Sequence, residues 1–216
     1  ISVTDGQFTV SDQATVLVGN AATAGNWFIQ DLGPSSARRG QGLEYGGLFS
    51  VTGTGAGYAA TASDQAHIML RDISGDGSVV ARVTSFSTTG ALAGITIRDS
   101  LNRGANRAVL GFVPGTGIQF RTRAAAGNDT VASAAAPALP FWLKLERNAT
   151  SHEITASFSS DGTSWTAVGT PVAVPLLDTS AYYGLTTTSN NTGITAAALL
   201  DNVTLTPAPT GPALLN

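Results

Sequence analysis

Residues 141–147 read FWLKLER, and residues 153–159 read EITASFS. In both stretches an apolar side chain stands at every second position, with polar side chains or a tryptophan between them. Because successive side chains of a β-strand point to opposite faces, this alternation predicts two strands with one buried face each. The residues between them, NATSH, predict the turn of a hairpin.

Similar short stretches, separated by turns rich in Gly, Asn and Asp, continue from Trp27 to about Thr206. We predict strands over 27–32, 46–52, 66–73, 79–86, 93–98, 107–113, 117–123, 141–147, 153–159, 165–168, 182–188 and 194–205. Many short strands at this spacing predict an all-β fold with two packed antiparallel sheets. The Ala-rich stretch 124–138 contains Gly127 and Pro137, which favour a loop or an irregular strand over a helix.

The two ends of the chain differ from this central unit. Residues 1–18 form a separate unit with an Asp5-Gly6 pair placed for a tight turn between two strands. Residues 19–26, GNAATAGN, predict a linker, and residues 207–216, PAPTGPALLN, predict an extended tail. The first residue is Ile1 rather than an initiator Met, so we expect a processed chain or an excised piece.

The composition argues against several classes of function. The chain has 216 residues, of which 43% are apolar and 12% charged, and its net charge is −3 without any basic run. This charge argues against nucleic acid as a partner, and no apolar stretch of about 18 residues is present to span a membrane. Cys is absent, which removes thiol catalysis. Because His67 and His152 are solitary, neither indicates a catalytic triad or a histidine metal site, and we expect no cofactor.

The order of sequence blocks in residues 27–206 carries a resemblance to a known family. The blocks are WFIQDLG (27–33), GGLFSVTGTGAG (46–57), SGDGSVVARV (74–83), AGITIRDSL (93–101), VPGTGIQFRTR (113–123), PFWLKLERN (140–148), SSDGTSW (159–165) and LLDNVTL (199–205). In this order they resemble a bacterial family of extracellular concanavalin A-like sandwiches, the regulation-of-enolase-like domains. That family often has Asp-Ile-Trp where this chain has Gly57-Tyr58-Ala59, so an aromatic that shapes a site there is weakened or moved.

The resemblance implies a fold and a compartment rather than one chemistry. It implies a jelly-roll-like, concanavalin A-like sandwich within large secreted multidomain proteins, so we expect an extracellular or cell-surface location. Many members of the family accompany carbohydrate-active enzymes. Contact with a polysaccharide is therefore an expectation by analogy.

Residues 1–18 are similar to the last hairpin of an immunoglobulin-like domain of the polycystic-kidney-disease or cadherin type. Such domains commonly end in a pattern like VTDG (3–6) followed by ATVLV (14–18). Because a lone hairpin is marginal in water, we expect it either to fold back on the sandwich or to add strands to a neighbouring copy. Strand addition of this kind repeats head to tail and builds a filament. The apolar positions inserted would be Val3, Phe8, Val10, Val16 and Val18.

Strand alternation also predicts a binding surface. With the apolar side chains in the core, the outward positions carry cations, carboxylates and one large aromatic ring. These outward residues are Arg98, Arg121, Arg123, Trp142, Lys144, Glu146 and Glu153. Arginine forks and a tryptophan ring on one open face suit hydroxyl-rich or anionic sugars. The alternative is a solvated polar face held by cross-strand ion pairs.

The carboxylates raise two narrower hypotheses. Glu146 and Glu153 flank the predicted hairpin turn and are expected to sit opposite each other, and retaining glycosidases use carboxylates about 5 Å apart. The alternative is a pair of rim carboxylates neutralised by Lys144 and nearby Arg, and we expect no enzyme. Asp76 and Asp201 lie in turns where calcium binding and ordinary turn hydrogen bonding both remain open.

The leading hypothesis is a non-catalytic extracellular structural or adhesive module. Its partners would be copies of itself or neighbouring domains of one surface protein. The alternative is a carbohydrate-binding module that uses the outward residues for a polysaccharide. Neither hypothesis includes a cofactor, a nucleic acid or a membrane span.

Overall fold

The computed structural model describes residues 2–4, 9–11, 26–33, 38–58, 63–86, 88–124, 129–175 and 180–207, and these residues form strands and turns without a helix. Two large antiparallel sheets pack face to face, and two short strands form a separate pair. The predicted all-β sandwich is confirmed.

The front sheet contains seven antiparallel strands. In spatial order they are β11 (Asp129–Ala134), β10 (Gly117–Arg123), β9 (Arg107–Val113), β8 (Leu92–Arg98), β16 (Ser180–Thr188), β6 (His67–Ser74) and β3 (Phe28–Asp31). Strand β16 enters between β8 and β6, so residues far apart in the chain become neighbours. Local spacing in the sequence does not reveal this crossover.

The back sheet contains eight strands. In spatial order they are β14 (Thr166–Ala167), β13 (Glu153–Ser159), β12 (Phe141–Arg147), β7 (Gly77–Ser85), β17 (Asn191–Thr206), β5 (Leu48–Gly55) and β4 (Gln41–Tyr45), with β15 (Val172–Ala173) beside β13. The predicted hairpin of residues 141–159 is β12 and β13, with Leu143 opposite Phe158. Strand β17 contains register shifts, among them one between Asp201 and Thr204.

The inward faces of the two sheets form one continuous core. On β12, Phe141, Leu143 and Leu145 are fully buried, and the side chains between them point outward. The Phe141 ring meets Phe112 of the front sheet edge-on, with 5.3 Å between the ring centres. Burial of each such side chain contributes about 1.5–3 kcal/mol, so this core holds the two sheets together.

The turn between β4 and β5 shows that the predicted start of strand 46–52 is wrong. Gly46 and Gly47 have φ angles of 57° and 84°, which favour glycine. A two-residue turn with two positive φ angles matches the twist of a hairpin. The predicted strand 46–52 therefore starts inside a turn, and strand β4 before it was not predicted.

The prediction of a loop or irregular strand over 124–138 is wrong for Asp129–Ala134. These residues form β11, which pairs in regular register from Arg123 opposite Asp129 to Ile118 opposite Ala134. The side chains of β11 are exposed or half-buried and mostly short. An edge strand needs a partner on one side only, so β10 can hold a segment whose own strand signal is weak.

Asp31 links the edges of the two sheets and binds a buried histidine. Nδ1 of His67 on β6 lies 2.8 Å from Oδ1 of Asp31 on β3. The same Asp31 oxygen accepts the backbone N–H of Gly40, immediately before β4, at 3.1 Å. Burial lowers the pKa of His67, so the ring is neutral at neutral pH.

The N-terminal pair consists of β1 (Ser2–Thr4) and β2 (Thr9–Ser11), with Val3 opposite Val10. Of the predicted assembly residues, Phe8, Val16 and Val18 lie outside the described residues, as do residues 19–25 and 208–216. The predicted assembly role therefore stays a prediction. Within the described ranges, no helix has the length and apolar character needed to cross a bilayer.

Candidate binding surfaces

The residues predicted to share one open face lie on two different sheets. The front sheet carries Arg98, Arg121 and Arg123, and the back sheet carries Trp142, Lys144, Glu146 and Glu153. The outer sides of two packed sheets point away from each other, so the prediction of one shared face is wrong. Alternation along a strand shows which side chains point outward but not to which sheet the strand belongs.

The outer side of the back sheet carries a surface that we call the tryptophan face, made of Arg82, Trp142, Lys144, Glu146 and Trp165. Arg82 on β7 lies directly opposite Trp142, and its Cζ is 5.0 Å from the centre of the Trp142 ring. Arg82 donates from Nε and Nη2 to the two Asp201 oxygens at 2.7 and 2.5 Å. These hydrogen bonds raise the pKa of Arg82 and lower that of Asp201, so both remain charged at neutral pH.

Lys144 occupies the next outward position along β12. Its Nζ lies 4.6 Å from the centre of the Trp165 ring and 3.0 Å from Oε2 of Glu146. Such cation–aromatic contacts contribute about 0.5–1 kcal/mol at exposed sites, and exposed ion pairs contribute about 0–1 kcal/mol. Contacts this weak can be exchanged for contacts with a ligand.

A loop built on Asp161 sets the position of Trp165. Oδ1 of Asp161 accepts the backbone N–H groups of Thr163 and Ser164 at 2.8 and 2.7 Å. These hydrogen bonds hold the pKa of Asp161 well below its usual range. The loop is therefore closed by its own carboxylate immediately before Trp165.

The same loop braces the second tryptophan. Gly162 has a φ angle of 76° and approaches Trp142 so closely that a Cβ there would lie 3.1 Å from the ring. The loop therefore supports the Trp142 ring, which also contacts Arg82, and Trp165 is half-buried where Lys144 meets it. The tryptophan face is a pre-formed surface with two aromatic rings, two cations and a carboxylate.

The outer side of the front sheet carries a different arrangement, which we call the arginine row: Arg98, Arg107 and Arg123. Their strands are neighbours, and Arg107 lies directly opposite both Arg98 and Arg123. Asp129 on β11 continues the row beside Arg123. All three arginines are fully buried. The predicted exposure of Arg98 and Arg123 is therefore wrong.

Described residues of the connection between β5 and β6 cover this part of the front sheet. Tyr58 and Ala66 from that segment pack with Val109 and other apolar side chains on the outer side of the sheet. The same segment brings Asp64, which is also fully buried, over the arginine row. Residues that alternation predicts to face solvent are thus enclosed by a segment from elsewhere in the chain.

Two carboxylates are shared among the three arginines of the row. Oδ1 of Asp64 accepts from Nε of Arg107 at 2.9 Å and also from Nη2 of Arg123. Oδ2 of Asp64 lies 3.5 Å from Nη2 of Arg98. Asp129 accepts from Nη2 of Arg107 at 2.7 Å and from Nε of Arg123 at 3.2 Å.

Tyr58 and Arg121 flank the arginine row. Cζ of Arg107 lies 4.8 Å from the centre of the Tyr58 ring, and the Tyr58 hydroxyl lies 2.5 Å from Oγ1 of Thr186. Burial raises the pKa of Tyr58 to about 12, so the phenol stays neutral. Half-buried Arg121 donates to the Tyr58 carbonyl at 2.9 Å and to Oε1 of Gln119. Burial and the charge of Arg107 lower the pKa of Arg121.

Glu146 and Glu153, considered above as a catalytic pair, do not lie directly opposite each other. Glu146 lies opposite Thr155, so the expectation that Glu153 sits opposite it is wrong. Both glutamates line one cavity of about 390 Å³. Glu146 binds Lys144, and Glu153 accepts from the Ser151 hydroxyl at 3.2 Å.

The two turn aspartates considered for calcium have protein partners. Asp76 accepts the backbone N–H of Ala149 at 2.7 Å, and Asp201 binds Arg82 through both oxygens. Across the ranges that the structure describes, no three metal-ligating side chains gather in one place. Turn and ion-pair hydrogen bonding therefore account for both side chains.

Several residues of these surfaces carry little signal in the sequence. Arg107 begins a strand that is otherwise apolar, RAVLGFV, so alternation does not mark its outward side. Asp64 lies in a connection whose path over the front sheet only the tertiary structure shows. Asp129 had a usable signal, because it is the one carboxylate between residues 124 and 140 and follows Arg123 closely.

No protein-family model and no curated protein matches the chain. Solved structures do resemble its overall fold. A functionally unknown protein from Saccharomyces cerevisiae superposes with a TM-score of 0.65 at 15% identity, covering 86% of this chain and 98% of that chain. The carbohydrate-binding module CBM66 from Bacillus subtilis superposes with a TM-score of 0.51 at 14% identity, covering 85% of this chain and 96% of that chain. The chain is a concanavalin A-like sandwich.

A mutant of the GH43 protein BlXynB from Bacillus licheniformis superposes with a TM-score of 0.53 at 19% identity. The match covers 74% of this chain and 32% of that chain, so the sandwich corresponds to only a part of that protein. Identities this low show the shared fold and not the ligand. The regulation-of-enolase-like family and the immunoglobulin-type hairpin stay predictions.

Proposed function

We propose that the chain is a non-catalytic carbohydrate-binding module that contacts its sugar through the tryptophan face. The observation that carries this proposal is the pairing of Arg82 with Trp142 and of Lys144 with Trp165, side by side on one outer face. The C–H faces of a sugar ring are apolar and slightly positive, so they stack on aromatic rings. Sugar hydroxyls hydrogen-bond to the adjacent cations and carboxylates.

The charges of the tryptophan face favour a neutral polysaccharide. Arg82 is neutralised by Asp201, and Lys144 by Glu146. A neutral, hydroxyl-rich ligand uses these donors and acceptors without removing a counter-charge from either pair. The row from Asp201 through Arg82 to Trp142 crosses three strands, roughly 10 Å, which suits a chain of sugars.

The comparisons support the class of the ligand and the location. One similar structure is a carbohydrate-binding module, and another is a GH43 protein of which the sandwich matches a part. We therefore propose that the chain acts outside the cell and contacts a polysaccharide there. Detection of the protein in the culture medium or on the cell surface tests the location.

Retention on insoluble neutral polysaccharides tests the binding surface. We expect Trp165→Ala and Trp142→Ala each to weaken retention by about tenfold, because each removes one stacking ring. Tyr45→Ala is the matched control, since Tyr45 is an aromatic residue that is 58% exposed at the far edge of the same sheet. A wild-type chain that binds no polysaccharide, or equal losses in all three variants, would refute the proposal.

An assay for released sugars on the same polysaccharides tests whether the module is non-catalytic. We expect no turnover. Turnover that disappears in Glu146→Gln or Glu153→Gln would show that the chain is an enzyme. The retention assay would then still decide whether the tryptophan face binds the polysaccharide.

The second candidate function is the joining of copies through residues 1–18. It is favoured by the pairing of β1 with β2, because two strands of three residues each are too short to be stable alone. We expect the full chain to form multimers that disappear when residues 1–18 are deleted, as measured by solution mass and negative-stain imaging. A full chain that is monomeric, or multimers that survive the deletion, would refute this function.

A further inference from the structure

A cavity of about 450 Å³ lies where the turn between β4 and β5 meets strand β17. One of its lining residues is Asp201, whose carboxylate binds Arg82 of the tryptophan face. The cavity and the tryptophan face are therefore joined through one ion pair. The volume falls within the range of about 300–1,000 Å³ that sites for small molecules occupy.

Two irregular pieces of backbone shape this cavity. Gly46 and Gly47 form the turn on one side, and a Cβ at either position would meet no atom within 4 Å. On the other side, the register shift of β17 between Asp201 and Thr204 leaves Asn202 without a partner on β7, and Asn202 has a φ angle of 47°. Bulges and positive φ angles outside glycine are both enriched at functional sites. A turn without side chains and a bulged strand thus leave open the space that a regular sheet would fill.

The polar part of the cavity combines a fixed wall with an available carboxylate. Nδ2 of Asn202 donates to Oδ1 of Asp201 at 3.0 Å, and Arg82 binds both oxygens of Asp201. This wall is held by its own hydrogen bonds, and its charges cancel. Glu44 also lines the cavity, is half-buried, and forms no ion pair within the described part of the chain. Its carboxylate can therefore accept hydrogen bonds from a ligand.

The cavity also has an apolar part, to which Leu48, Phe49 and Val203 contribute. The Phe49 ring is fixed by Trp27, which meets it edge-on with 5.4 Å between the ring centres. Apolar surface beside a few convergent polar groups is the usual composition of a site for a small molecule. A sugar unit matches both parts, because its C–H groups are apolar and its hydroxyls donate to a carboxylate.

We propose that this cavity is a second sugar subsite, in which Glu44 and Asn202 bind the hydroxyl groups of one neutral sugar unit. The inference rests on the proposed function for the class of ligand. It adds that the polysaccharide continues from the tryptophan face past Asp201 into the cavity. The sugar chain is then held at two places, by stacking on Trp142 and by hydrogen bonds to Glu44.

A titration followed by nuclear magnetic resonance tests the two places separately. The indole N–H signals of Trp142 and Trp165 report on the tryptophan face, and the amide signals of Gly46, Gly47 and Asn202 report on the cavity. The probes are glucose, xylose, galactose, arabinose and fructose. We expect at least one of them to shift the cavity signals in a saturable way, with a Kd on the order of 1–10 mM.

The outcomes separate the subsite from the proposed function. Saturable shifts of the cavity signals support the subsite, whether or not the indole signals move. Shifts of the indole signals alone leave the tryptophan face in place and overturn the subsite. Cavity signals that respond to calcium chloride and to none of the sugars also overturn it. If no signal responds to any sugar, the subsite is overturned, and retention on polysaccharide still decides the function of the tryptophan face.

Two conservative variants locate the contacts. Glu44→Gln keeps the shape of the side chain and removes its charge, and Asn202→Gly removes the amide and tolerates the positive φ angle. We expect each to weaken binding, as read from the two glycine signals, by about tenfold and to leave the indole response unchanged. The matched controls are Asp72→Asn and Asn26→Gly, because both residues are exposed, neither lines the cavity, and Asn26 has a φ angle of 63°. An undiminished cavity response in either Glu44→Gln or Asn202→Gly overturns the assignment.

Discussion

The outward positions of β12 and β10 carry similar residue types and end in opposite environments. On β12, the side chains of Lys144 and Glu146 are 21% and 50% exposed and form an ion pair in contact with solvent. On β10, Arg123 is fully enclosed with Asp64. The difference lies in Tyr58 and Asp64, which come from the connection between β5 and β6 and pack against the arginine row. An outward direction is therefore a property of the strand, and exposure is a property of what packs over it.

The largest difference between the two surfaces is expected in their ion pairs. Asp64→Asn leaves three buried arginines with one carboxylate, and we expect a loss of roughly 3–5 kcal/mol in the free energy of unfolding. Asp201→Asn on the tryptophan face breaks a partly exposed pair and is expected to cost about 0–1 kcal/mol. Urea unfolding measures both values. Equal losses would contradict the distinction between the two surfaces.

A smaller difference in the free energy of unfolding is expected between substitutions of two aromatic residues, one on each surface. Tyr58→Phe removes the hydroxyl that binds Thr186, and we expect a loss of about 1 kcal/mol because that bond is buried. Trp165→Phe keeps an aromatic ring on the tryptophan face, and we expect a change within about 0.5 kcal/mol. Thermal and urea unfolding together test both values. A larger loss for Trp165→Phe would mean that this ring is part of the core.

Buried and exposed groups are expected to respond to acid in separate pH ranges. Burial holds the pKa of His67 below its ordinary value of 6.5, so the unfolded chain takes up this proton first as the pH falls. The contribution of His67 is therefore complete above about pH 6.5 and is lost as the pH falls through the folded pKa. The pKa of Asp201 lies below 3.8, so its contribution is lost only below about pH 3.8.

Urea unfolding at a series of pH values measures both ranges. We expect His67→Gln to flatten the decline that begins near pH 6.5 and to leave the more acidic decline unchanged. A wild-type stability that does not change between neutral pH and the titration of the carboxylates would contradict the buried state of His67.

The smallest effect is expected from salt on the tryptophan face. Arg82→Gln removes an ion pair whose partners are 29% and 24% exposed, and we expect a loss of at most about 1 kcal/mol at low salt. Because screening weakens exposed pairs, this loss should shrink as ionic strength rises. Urea unfolding of both proteins at low and high salt measures the difference. A loss that is independent of salt would indicate packing rather than charge.

Most of the strands could be predicted because their signals are local. The strands 107–113, 117–123, 141–147 and 153–159 have the predicted bounds, since alternating side chains and turn residues lie within each segment. Strand β11 was missed because its short side chains carry little alternation and β10 holds it in place. Strand β4 was missed because the Gly46-Gly47 turn was read as the start of a strand.

The candidate surfaces could be predicted only in part. Trp142, Lys144 and Glu146 were found because they share one strand and one direction. Arg82 and Trp165 were missed, since their contacts with Trp142 and Lys144 depend on which strands and loops become neighbours. The residues of the arginine row were placed outward correctly for Arg98 and Arg123, but Arg107 and Asp64 come from segments without a readable pattern.

By itself, the sequence determined that the chain is all-β, that Phe141, Leu143 and Leu145 lie inside, and that Trp142 and Lys144 lie outside. These properties follow from side-chain alternation along a single strand, which is independent of the rest of the molecule. Only the tertiary structure decided that Arg123 and Trp142 lie on different sheets and that the arginines are buried beneath Tyr58 and Asp64. The physical reason is that strand order and loop coverage depend on long-range packing, in which one segment supplies the counter-charges for another.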